Sequence, residues 1–105
     1  MALKITVKSN ARNFLLIIRK KMDDKNILTW SYDNDLNFHH TPAQWKNMAW
    51  LKPTIEEDNS VLKLSLRRLS DTLLDDADRG VFYGRFTEMI ISHFKNRIVS
   101  IEFTP

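Results

Sequence analysis

The residues best equipped for chemistry crowd into one stretch, Asp33 to Trp50, which reads DNDLNFHHTPAQWKNMAW. His39 and His40, two of the three histidines, stand there with Asp33, Asp35, Trp45 and Trp50. Neutral imidazole and carboxylate can hold zinc, manganese or iron, so Asp33, Asp35, His39 and His40 are the candidate ligands of a small metal-dependent hydrolase or nuclease. Strand geometry opposes this, because adjacent residues point to opposite faces and His39 and His40 then cannot share one ion. Asp33, Asp35 and Asn37 also imitate the opening of a calcium loop. Phe38, however, stands where its sharp turn needs glycine, and Gln44 where the bidentate glutamate belongs. Asp and Asn serve turns for backbone reasons alone, and neither metal nor cofactor is expected.

A surface for a protein partner is the better reading of the same stretch. Phe38, His40, Trp45 and Trp50 would supply aromatic contact area, the kind of side chain that dominates binding energy at interfaces. Gly80 and Gly84, the only glycines, extend the candidate set. Each costs about 1 kcal/mol relative to alanine inside a helix, so a positional reason is expected. Spaced by four, they share one helix face, beside Ile91 and away from Phe82 and Phe86, where a second backbone could approach closely. The competing expectation is that Gly80 ends one helix and Val81 begins another.

On the same segment Tyr83, Arg85, Glu88 and His93 could be drawn as a proton-transfer site. Arg85 and Glu88 are three apart, the spacing of a surface ion pair, and His93 falls on the apolar arc, where a hydrogen-bonded boundary histidine is expected. No phosphate loop, nucleophile elbow, dinucleotide fingerprint or HExxH helix is present. A nucleic-acid module is the remaining alternative, centred on Arg12, Arg19, Lys20 and Lys21. Residues 1 to 25 carry seven basic and two acidic side chains, against two and five in residues 26 to 60. No motif of a known nucleic-acid-binding module accompanies them.

These side chains need a scaffold, and hydropathy patterning outlines one. Leu3, Ile5 and Val7 alternate with polar residues as in a half-buried strand. Ser9 or Asn10 can cap a helix, and Ala11, Phe14, Leu15, Ile18 and Met22 then follow at helical spacing. Leu28, Trp30 and Tyr32, the turn residues Asp33-Asn34-Asp35, and Leu36, Phe38 and His40 read as a hairpin. Thr41-Pro42-Ala43-Gln44 spells the start of a one- or two-turn helix. Met48 to Ile55 is extended, with Pro53 marking an edge or strand end. A turn at Glu56 to Ser60 leads to a strand bearing Leu62, Leu64 and Leu66. An unassigned link spans Leu69 to Leu74, and Asp75, Asp76 and Asp78 suit the positive end of the helix that follows. That helix turns Phe82, Phe86, Met89 and Ile90 inward, and a last strand places Val99, Ile101 and Phe103 on one face.

The order β-α-β-β-(short α)-β-β-α-β defines a single α+β domain over residues 1–105. It is expected as a two-layer sandwich, a mainly antiparallel sheet of about five or six strands with two helices on one face. The composition, 43% hydrophobic and 28% charged, suits a packed core. Zero cysteine excludes disulfides, thiolate metal sites and cysteine nucleophiles and fits a reducing cytoplasm. No secretory signal or membrane-spanning run is read. The expectation is therefore a non-catalytic interaction domain of a cytoplasmic, microbial protein, binding a protein partner or a second copy of itself.

Overall fold

A computed structural model describes residues 1–56, 58–69 and 73–105. Glu57, in the expected turn, and Ser70 to Thr72, in the expected link, lie outside the described residues. The chain folds as β1 (Ala2–Val7), α1 (Ala11–Asp23), β2 (Trp30–Tyr32), β3 (Phe38–His40), β4 (Ala49–Ile55), β5 (Val61–Arg68), α2 (Asp76–Phe94), a 3-10 turn (Lys95–Arg97) and β6 (Ile98–Thr104). The strands form one sheet in the order β2-β3-β4-β5-β1-β6, antiparallel at every junction. Both helices cover one face, the two-layer arrangement expected from the patterning. No helix among the described residues is long and apolar enough to cross a membrane.

Asn10 starts α1 by accepting the Asn13 amide at 2.9 Å, which satisfies one of the free donors of the first turn. Asp75 and Asp78 start α2 with a reciprocal capping box. Ala11, Phe14, Leu15, Ile18 and Met22 of α1 meet Phe82, Tyr83, Phe86, Met89, Ile90 and Phe94 of α2 over a floor that includes Leu3, Ile5, Leu51, Leu62 and Leu64. Phe14 and Phe94 join the helices edge to face, centroids 5.3 Å apart. Phe86 is fully buried between Trp30 (5.0 Å) and Phe38 (5.2 Å). Burial of such a ring stabilises the fold by about 1.5–3 kcal/mol.

Several local expectations need correction. The hairpin is shorter than its alternation implied: Leu28 is exposed outside β2, Ile27 is buried instead, and Leu36 is an exposed turn residue at φ 68°. No helix forms after Pro42. Trp45 and Lys46 both donate to the Pro42 carbonyl, at 2.9 and 3.0 Å, but Asn47 turns left-handed at φ 67° and ends the single turn. Gly80 does not break α2, which runs unbroken through both glycines. His93 is exposed rather than at a buried boundary. In β6 a bulge opposite Thr6 and Val7 pairs Ile98 with Val7 and Ser100 with Thr6. Ile98, Ile101 and Phe103 therefore share the helix side, while Val99 is displaced and 62% exposed.

Pro53 is accommodated by register. The Leu66 amide points away from β4, to the Tyr83 hydroxyl, so Leu51 and Leu66 do not exchange hydrogen bonds, and neither do Pro53 and Leu64 two residues on. The donor that proline lacks would face the far flank, where β3 pairs with β4 only at Phe38 and Leu51.

Candidate functional site

The Asp33 to Trp50 stretch is divided between the two sides of the sheet. Phe38 is fully buried and His40 only 5% exposed, so neither presents a surface to a partner. Trp45 is half-buried and packs edge to face with Phe82, centroids 5.5 Å apart. His39 and Trp50 lie on the opposite, uncovered face, their rings stacked at 6.1 Å. Asp33 holds His39 Nε2 at 2.6 Å and accepts the amides of Asp35 and Asn37. Partial burial alone pushes the Asp33 carboxyl up, but the His39 ring and the two amides outweigh it and hold the group below its usual range. Asp33, Asp35, His39 and His40 do not converge. Among the described residues no group of three or more such side chains is placed to hold a metal ion.

On the helix side the structure joins two sets that the sequence leaves apart. His40, Gln44 and Trp45 face Arg85, Glu88 and His93 of α2 around a pocket of about 360 Å³. Its reactive groups are largely committed. The Thr29 carbonyl, 2.8 Å from His40 Nδ1, can only accept, so that nitrogen carries the proton. Burial of the ring lowers its pKa, aided by Arg85 and opposed by the Thr29 hydrogen bond and Glu88. Arg85 and Glu88 pair with each other at 3.1 Å.

Gly80 and Gly84 define a different site. Both are exposed in the interior of α2, and a Cβ added to either would meet nothing within 4 Å. Among the described residues none uses the clearance they create. They line a groove of about 250 Å³ with Leu3, Tyr83, Thr87 and Phe103. Its polar atoms are engaged internally: Thr87 Oγ1 donates to the Tyr83 carbonyl at 2.9 Å, and the Tyr83 hydroxyl accepts from Leu66 and donates to Met1. What remains to offer is apolar. Phe103, 43% exposed, tilts against Tyr83 at 5.1 Å and belongs to β6, which among the described residues pairs only with β1.

The outer edge of β6 thus presents unpaired backbone next to the apolar groove. Its sequence, IVSIEFT, has no proline or lysine, the devices that commonly blunt an edge. The bulge near Val99 and the charge of Glu102 are the blunting features it does carry. Sequence reasoning found the glycines but missed Phe103 and Leu3 as their companions, since helix α2 and strands β1 and β6 meet only through the fold. Comparisons of the chain with protein-family models, curated proteins and solved structures find no significant match.

Proposed function

We propose that this chain is a non-catalytic interaction domain of a cytoplasmic microbial protein, and that its first partner is a second copy of itself, paired along β6. One observation carries the reading: the apolar Gly80/Gly84 groove, with its hydroxyls already satisfied, adjoins an unpaired apolar edge. An antiparallel β6 pair about a twofold axis would extend the sheet across both subunits and give every residue the same partner in each copy. Charge selects the register. Centring the pair on Ile101 sets Glu102 against Ser100 of the other copy, whereas centring it on Glu102 would oppose two carboxylates. A chain without cysteine is suited to a reducing compartment.

Sedimentation velocity across a concentration series tests this. The native chain is expected to dimerise and the Phe103→Lys chain to remain monomeric with an unchanged far-UV spectrum. An Ile101→Cys chain, carrying the only thiol, should cross-link on mild oxidation, because the proposed axis sets that position against itself. A native chain monomeric at every concentration, or a dimer indifferent to Phe103→Lys, would sink the proposal.

A further inference from the structure

Among the described residues nothing covers the sheet face opposite the helices, and its centre is basic. Burial of Ala49 and Leu51 against the helices turns Trp50, Lys52 and Thr54 of β4 to the open side. Across the β4-β5 ladder these residues oppose Arg67, Ser65 and Lys63. Two acids of this face are engaged with other partners, and a third stands beside Lys4. Glu56 approaches Lys4 at 3.6 Å, Glu102 opposes Lys4 across the ladder, and Asp33 holds His39. Among the described residues no carboxylate forms an ion pair with Lys52, Lys63 or Arg67. Lys52 also lines a groove of about 310 Å³ with Arg12 and Arg19 of α1, beside the flank of β4 that β3 leaves bare. Cations therefore continue around that flank onto the first helix, with one carboxylate, Asp35, lining the same groove.

We propose that this face binds single-stranded nucleic acid, with a base stacked on Trp50, phosphates at Lys52, Lys63 and Arg67, and the strand leaving past Arg12 and Arg19. The aromatic ring favours this polyanion over an acidic protein segment. Trp50 is half-buried with its outer face on the open side, and a relay supports it: its ring is stacked beside His39, His39 is fixed by Asp33, and Asp33 is fixed by the amides of Asp35 and Asn37. A preorganised indole among unpaired cations is a stacking platform that accepts any base, and a peptide carboxylate gains nothing from it. Single strands are favoured over duplex because only an unstacked base can lie on the ring.

Titration of the whole chain with a short oligothymidylate and with an oligouridylate, read by tryptophan emission, tests the assignment and distinguishes DNA from RNA. Quenching is expected with one or both, and weaker binding to a duplex of equal length. Trp50→Ala should abolish the quenching and weaken binding about tenfold or more, whereas Trp45→Phe should change neither. Lys63→Gln, with no predicted effect on folding, should reduce the slope of log affinity against log salt by about 0.7. No binding at low salt, binding of polyglutamate as tight as that of the oligonucleotides, or a Trp50→Ala chain that folds and binds normally would each overturn the proposal.

Discussion

The Tyr83 hydroxyl accepts the backbone N–H of Leu66 at 2.8 Å and donates to the Met1 carbonyl at 3.2 Å. The β1-β5 ladder pairs Leu3 with Leu64, and two residues further along Met1 falls opposite Leu66. A side chain from α2 thus completes the ladder where the strands part. Burial pushes the Tyr83 pKa up, against the Leu66 hydrogen bond and the charges of Arg67 and Arg79, so the hydroxyl stays protonated and can donate.

Tyr83→Phe removes this bridge and leaves the Leu66 donor without its partner. An unsatisfied buried donor costs about 1–3 kcal/mol, so the urea midpoint should fall by that equivalent with the slope unchanged. An unaltered midpoint would show that the two strands close the gap unaided.

Acid should act through Asp33. Its folded pKa is depressed, so its contribution is complete above the unfolded value and is lost as pH falls through the folded one. Urea midpoints of the native chain should therefore decline below about pH 4. Asp33→Asn should flatten that decline, because the amide does not titrate. If both chains lose stability in parallel, other carboxylates govern the acid limb.

His40 should act nearer neutrality. Its folded pKa is also depressed, but for a base this means that the unfolded chain takes up the proton first as pH falls. Stability is therefore complete above the unfolded value, about 6.5, and is lost as pH falls toward the folded pKa. His40→Gln is expected to remove the slope just below pH 6.5 while costing some packing against Trp30, whose ring lies 4.6 Å away. Proton titration of the His40 ring by NMR is the direct check, and a midpoint at or above the free imidazole value would refute the assignment.

The architecture was legible where one period persisted. Leu3-Ile5-Val7 and Phe14-Leu15-Ile18 each repeat a spacing that only one element can bury on one side, and both went where that spacing directs. Interruptions were not legible. Val99 fits the alternation of β6 but is displaced by a bulge set by pairing with β1, and Leu36 fits that of β3 but is needed in the turn. The candidate sites were harder still, because the groove joins Leu3 to Phe103, residues from opposite ends of the chain. Trp50 illustrates the remaining difficulty. Its type suggested contact, but its face was decided by the burial of Leu51 beside it.

Gly84→Ala separates the fold from the interface. Within the chain the new methyl meets nothing within 4 Å, and alanine is favoured over glycine in a helix by about 1 kcal/mol. In the Phe103→Lys background, where association is removed, the substitution should raise the melting temperature by roughly 4–8 °C, the shift that 1 kcal/mol gives a domain of about this size. In the native background the methyl enters the groove reserved for the second copy, so dimerisation should weaken while each subunit becomes more stable. These opposite signs are what a merely structural glycine would not produce. If sedimentation shows association unchanged beside the stabilised fold, the groove is not part of the contact and pairing must rest on the β6 edge alone.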